Sequence, residues 1–446
     1  MIRDMTSGSP LKLIFRFFFP VLLGELLQQL YNIVDTAIVG RFVGVQAFAG
    51  ITATGALYSL VIGFLLGLCY GFAIPVAQRF GANDMPRMRK YFANAIYLSA
   101  AIAILTTLLT VIFTRDFLRL IRTPEDIFGE AAAYISIIFG GMTATMLYNL
   151  SSSVLHSVGD TRTPLYLLIL SSFVNILLDL LFVLVFKLGV AGAALATVLS
   201  QLLAGTLCMY LIFRRYEILR IRGGEWSPDM ACLTRLIGIG LPMGLQTALT
   251  AVGSIIAQTA VNGMGLTMVA AVGASDKVTY IFSCPFGAIG AAIATYCGQN
   301  FGAKRLDRIR QGVRQSMLVM LAYCAAAFIM QRTFGMRIAR LFIDPSEVEV
   351  LAFAARYLNI AILFFPGFLG IMVYRNALQG LGHSRTAMVA GVFETAARVF
   401  VALVLVPAYG FAGACATHPA AWSMGAAFLI PAYLYTLRKL ERTVPA

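Results

Sequence analysis

Runs of mostly apolar residues, each about 20 long or longer, recur from end to end of this chain, and each can cross roughly 30 Å of hydrocarbon as a helix. They fall at 13–42, 47–77, 91–113, 129–154, 165–187, 190–213, 236–262, 267–298, 315–331, 350–379, 386–406 and 410–436, twelve in all. No single water-soluble core accounts for this pattern. Inside lipid every backbone N–H and C=O must find its partner within the protein, so segments of this kind are read as transmembrane helices and the chain as an all-α membrane protein. Charge agrees: 12% of residues are charged, about half the share in soluble domains. The opening MIRDMTSGSPLK lacks a short apolar core followed by a small-residue cleavage site. No removable signal peptide is expected, and the first helix acts as the insertion signal.

A net charge of +14 could point to nucleic acid. The placing of the charges points elsewhere. With a cytoplasmic N-terminus, the inner segments hold 22 Lys and Arg and the outer ones 8, the asymmetry expected when positive residues are retained inside. Both termini are therefore expected in the cytoplasm, in a multi-pass protein of the bacterial cytoplasmic (inner) membrane. The expected surroundings are membrane lipid, with no nucleic-acid partner and a monomeric chain. The seven cysteines are scattered, with no pair at metal or redox spacing, and read as small packing residues.

The two halves of the chain repeat one another. Pro20 matches Pro242; Ala77–Ala82 (AQRFGA) matches Gly298–Ala303 (GQNFGA). Gly159–Thr163 (GDTRT) matches Gly382–Thr386 (GHSRT), and Gly189–Ala193 (GVAGA) matches Gly410–Ala414 (GFAGA). The offsets stay between 221 and 223 residues throughout. With six helices per copy, both copies enter the membrane in the same direction, as parallel repeats related by a pseudo-twofold axis along the membrane normal. The expected organisation is an N-terminal six-helix lobe over 1–214, a charged cytoplasmic linker over 215–235 and a C-terminal six-helix lobe over 236–446. Such repeats suit a secondary transporter with a path between lobes.

Ionisable groups inside the spans are costly and require a partner, a cavity or a role. Asn175 and Asp179 stand four apart and share one helix face. Asp179 and Thr197 lie nine residues to either side of Leu188, at the turn between spans five and six, so both sit about 13 Å from that turn at 1.5 Å per residue. Asp35 reaches a similar depth on the first span. Asp35, Asn175, Asp179 and Thr197 can thus converge as oxygen donors for a hard cation or a shared proton. A polar cluster pinning helices together is the plainer reading. Function is favoured because two acids in low dielectric cannot both stay ionised without a cation or a proton. Pro20 leaves the carbonyl one turn before it unpaired and marks a hinge in the first span.

The second half does not carry the acids: Ala257 stands opposite Asp35, and Arg398 opposite Asn175. Glu394 and Arg398, four apart, are expected to pair along their helix, and His418-Pro419 is expected to mark a kink with a locally bonded His. Glu25, Tyr31, Tyr148, Asn149, Asp276 and Arg398 are candidates for a substrate cavity, with Met146 a further candidate. No nucleophile-base arrangement and no phosphate-binding Gly-x-x-x-x-Gly-Lys-Ser/Thr loop occurs in the sequence. Neither an enzyme nor a cofactor is expected, and an ion gradient is the expected energy source.

The segment Gln29–Gly40 (QLYNIVDTAIVG), the turn Val158–Pro164 (VGDTRTP), and Asn175, Asp179 and Thr197 together resemble the multidrug and toxic compound extrusion (MATE) family over essentially the whole chain. That resemblance implies twelve helices in two lobes around a V-shaped cavity, and export of organic cations or amphiphilic drugs in exchange for H+ or Na+. It implies an N-lobe cation site, with Na+ as its metal if sodium is the ion, at Asp35, Asn175, Asp179 and Thr197. Thr250 and Gly370 stand where one branch of the family carries acids, so the chain looks more like the DinF-like and MepA-like branch. The rival reading is a lipid-linked saccharide flippase of the same superfamily, which would use Arg356, Arg375 and Arg398 to hold pyrophosphate.

Overall fold

The computed structural model describes residues 2–340, 343–344 and 346–443. Residue 1 and residues 444–446, the outer ends of the two expected lobes, lie outside the described residues, as do the side chains of Thr36 and Ala37 in the quoted signature. All regular structure among the described residues is helical, and the chain divides into two compact units, Met1–Asp4 with Leu23–Gly244, and Met5–Leu22 with Leu245–Ala446.

The first unit holds most of α1 (Pro10–Phe42), then α2 (Val45–Gly81), α3 (Met85–Ile112), α4 (Thr114–Leu120), α5 (Glu125–Gly140), α6 (Met142–Ser157), α7 (Arg162–Asp179), α8 (Gly189–Arg215) and the opening of α9 (Met230–Asn262). Helix α2 is its spine, packed by α3, α5 and α6, while α8 closes against α5, α6 and α7. The core they bury includes Leu65, Phe72, Phe92, Phe139 and Val154. Helices α5 and α6 bend by 48° at their junction. A Cβ on Gly141 would run into the Val198 side chain of α8, so glycine lets the bend approach its neighbour.

The expected linker is docked on this unit rather than loose. Short 3-10 turns at Glu217–Leu219 and Gly223–Trp226 are held to the start of α3 by Arg89–Glu225 and Lys90–Asp229, each with contacts down to 2.6 Å. Trp226 stacks on Phe213. The GDTRT turn is tied to the same edge. Asp160 accepts from the backbone N–H of Arg162 and Thr163 at 3.0 and 3.2 Å and from the Tyr216 hydroxyl. Burial would push this carboxyl up, but its donors, Tyr216 and Thr163 among them, outweigh burial and hold it at about 2.

The second unit contains the rest of α9, then α10 (Leu266–Gly302), α11 (Leu306–Ala339), α12 (Val348–Ala361), α13 (Phe365–Gly380), α14 (Ser384–Phe400), the short α15 (Val406–Tyr409) and α16 (Phe411–Ala414), and α17 (Thr417–Thr443). Helix α10 is the spine here, packed by α11, α12 and α13. Residues Met5, Ile14, Phe17 and Phe18 from the start of the chain complete a core with Phe286, Tyr296, Phe365 and Leu429.

The duplication is written into the backbone. Helices α1 and α9 are 33 residues each, and α2 and α10 are 37 each. The turns before α2 and α10 need the left-handed region at Gly44 (φ +117°) and Gly265 (φ +98°), where a side chain would be strained. A π-helical turn follows α7 at Leu180–Val185 and α14 at Val401–Leu405. Pro20 and Pro242 both lie within unbroken helices, and two of the three unit boundaries fall two residues beyond them, after Leu22 and after Gly244.

Among the described residues, ten helical stretches are long and apolar enough to cross a membrane, several of them joining consecutive elements such as α12 and α13, and eleven if the bent pair α5–α6 counts as one span. Helix α1, which contains the first expected span, is 33 residues long and includes the side chains outside the description, Thr36 and Ala37. The multi-pass all-helical body is thus the observed fold, and the count of twelve spans remains an expectation.

Candidate functional site

Asp35 on α1, Asn175 and Asp179 on α7 and Thr197 on α8 all belong to the first unit. Asp179 closes the last α-helical turn of α7, just before the π-helical turn, and is 0% exposed; Asn175, one turn earlier, is 1% exposed. The Asp35 and Asp179 carboxyls lie within each other's electrostatic reach. Both Asp179 oxygens, Asp35 Oδ1 and both polar atoms of the Asn175 amide are buried without a hydrogen-bond partner. Thr197 donates to the Ala193 carbonyl at 3.1 Å and meets the Tyr31 hydroxyl at 3.4 Å.

A buried polar group left unpaired costs about 1–3 kcal/mol, and this cluster holds several. Such a cost is tolerated where another species satisfies the oxygens. The donor set of two carboxyls, an amide and a hydroxyl fits a hard cation or a proton shared between the acids. Tyr58 on α2 and Tyr134 on α5 lie close enough to feel the Asp35 charge. Neither was legible as a site residue, since a tyrosine in an apolar run has the same periodicity as its core neighbours.

A cavity of about 130 Å³ lies in this unit, lined by Gln28, Tyr31, Tyr70, Tyr148, Asn149 and Gln201 among others. Three expected cavity residues, Tyr31, Tyr148 and Asn149, are thus at one place. Glu25 is not on the lining, but it acts electrostatically on Tyr70, which is. Met146 is core: it is 2% exposed, with its sulfur 3.6 Å from Cys69 Sγ.

The second unit contains a larger, partly open cavity of about 350 Å³, which includes both Asp276 and Arg398. Asp276 accepts from the Tyr357 hydroxyl at 3.0 Å and faces His418 Nε2 at 3.2 Å. Two sequence expectations are corrected here. Glu394 pairs with Arg375 of α13 at 3.1 Å, not with Arg398. Both partners of that pair are buried, so the neighbouring helix offers a shorter and drier ion pair than one turn of α14 can. His418 is bonded across to α10 instead of locally and stacks on Trp422 at 5.0 Å. Pro419 lies in the first turn of α17, and the helical span breaks at Cys415–Ala416, where the proline leaves the Cys415 carbonyl without its usual donor.

Comparisons with known proteins agree with this architecture. The family model MatE matches residues 20–181 and again 242–404, one match in each repeat. "Probable multidrug resistance protein YpnP" of Bacillus subtilis is 29% identical over 379 residues, covering 84% of this chain and 83% of the relative. "Probable multidrug resistance protein YoeA" of the same organism is 28% identical over 437 residues, covering 96% and 94%. The chain also superposes on a solved outward-facing multidrug resistance MATE family transporter of the MOP superfamily, with TM-score 0.91 and 98% of each chain covered; at 20% identity that likeness shows the fold alone.

Proposed function

The chain belongs to the MatE family, and on that premise we propose that it is a secondary active multidrug efflux antiporter, exporting organic cations or amphiphilic drugs in exchange for H+ or Na+ by alternating access. The observation that carries this reading is the buried cluster of Asp35, Asn175 and Asp179 with its unpartnered oxygens. In the outward-open state Asp35 and Asp179 take up the cation, with Asn175 and Thr197 as neutral donors. Binding satisfies groups that otherwise bear a desolvation cost, so the ion has different affinities for different conformations, which is what coupling requires. Both termini face the cytoplasm, and the unit works as a monomer in the lipid bilayer. The flippase rival is weakened because Arg375, one of its three arginines, is already neutralised by Glu394.

The test is dye export from vesicles or drug-hypersensitive cells under separately imposed Na+ and pH gradients. One gradient drives export and the other does not; export indifferent to both overturns the proposal. Helix α1 is the moving part in this reading. Pro20 cannot donate to the Arg16 carbonyl one turn back, and at that level the helix passes from one compact unit to the other. In the same assay Pro20→Ala is expected to slow export several-fold while the thermal midpoint holds or rises, since a helix interior gains about 3 kcal/mol in propensity from that change. Wild-type export rates in the variant would remove Pro20 as the hinge.

A further inference from the structure

The two buried clusters occupy the same place in the two repeats, with the charge inverted. The local repeat offsets set Asp35 opposite Ala257, Asn175 opposite Arg398, Asp179 opposite Ala402, Thr197 opposite His418 and Tyr134 opposite Tyr357. Of these counterparts, Ala257, Tyr357, Arg398 and His418 line the 350 Å³ cavity of the second unit. Where the first unit gathers two acids, the second has lost both and gained a guanidinium and an imidazole. We propose that this cavity is a binding subsite for an aromatic carboxylate, whose anionic head Arg398 holds.

Arg398 is 5% exposed, and its Nε and Nη1 have no hydrogen-bond partner. The nearest candidate on its own helix, Glu394, is taken by Arg375. Asp276 on the cavity wall has Tyr357 and His418 as its partners. The acid of this cavity is therefore served, and the guanidinium keeps two nitrogens unsatisfied. A buried guanidinium with two unsatisfied nitrogens is expensive to hold even with Glu394 within electrostatic reach, and the group that completes it best is planar and anionic, because a guanidinium offers two parallel N–H donors to a carboxylate. The rest of the lining supplies the aromatic contacts: Phe368 and Trp422 lie 4.9 Å apart, and Tyr280 adds a third ring. The volume sits at the lower end of small-ligand sites, enough for a one- or two-ring compound.

This subsite rests on the proposed export function only for its role as a cargo position; binding itself needs no gradient. Trp422 lines the cavity, and Trp226 is the one other tryptophan of the sequence. In a Trp226→Phe background the emission of Trp422 reports occupancy directly. The purified full-length protein in detergent is titrated with 3-phenylpropionate, 3-phenylpropan-1-ol and 3-phenylpropylamine, which share a ring and differ in head charge. The carboxylate is expected to bind at least tenfold tighter than the alcohol or the amine. Arg398→Gln should abolish that preference while raising the thermal midpoint, and Arg398→Lys, which keeps the charge but not the fork, should retain part of it. Equal affinity for the three heads, tighter binding of the amine, or an undiminished preference in Arg398→Gln overturns the proposal. Loss of ion-driven export would leave these titrations unchanged, so failure of the coupling reading and failure of the subsite are told apart.

Discussion

Asp179→Asn abolishes ion-driven export and leaves the protein folded in the membrane. The side chain is fully buried, neither oxygen has a hydrogen-bond partner, and Asp35 is its charged neighbour. Asparagine keeps the shape and one carbonyl oxygen but cannot exchange a proton or carry the charge a cation answers. Coupling free energies between sites typically amount to about 1–3 kcal/mol, so the stimulation of export by the gradient, roughly 5–150-fold, should be lost. Stability should hold or rise, because the substitution takes a potential charge out of low dielectric. The measurement is the initial rate of dye export from reconstituted vesicles under an imposed gradient, beside the thermal midpoint of the same preparation. Unchanged export in a folded variant would sink the coupling assignment, and a variant that no longer folds would turn the cluster into a structural pin. Asp35→Asn should act in the same direction, and the two effects should not add, since the proposed site uses the two carboxyls as one pair.

The largest stability effect is expected at Arg375. Its guanidinium meets Glu394 at 3.1 Å, with both side chains under 10% exposed. Arg375→Met strands a buried carboxylate and should cost about 3–5 kcal/mol, whereas replacing both partners with apolar residues of similar volume should be close to neutral. Thermal or denaturant unfolding of Arg375→Met, Glu394→Leu and the double variant gives the cycle. If the two single losses simply add in the double variant, the two residues are not coupled and the pair does not hold α13 to α14.

The acid cluster illustrates how far spacing along a chain can reach. Asn175 and Asp179 share a helix face by periodicity, and their depth relative to the turn at Leu188 follows from the helical rise. The equal distances of Asp179 and Thr197 from one turn therefore bring α7 and α8 together at a common level. The same arithmetic misassigned Glu394, because it sees partners along a helix but not the helix alongside. It likewise could not find Tyr58 and Tyr134, whose apolar surroundings match those of any packed tyrosine.

The sequence by itself determined the helical membrane body, the duplication and the location of the acids in one copy alone, since hydropathy, repeat offset and helical period are local quantities. Only the tertiary structure decided which charges are answered. Arg375 takes Glu394, Tyr357 and His418 take Asp276, and Asp179 and Arg398 are left with unsatisfied polar atoms. Pairing depends on which helices pack side by side and how deeply they bury their polar groups, and that is settled by the fit of side chains across helices distant in sequence.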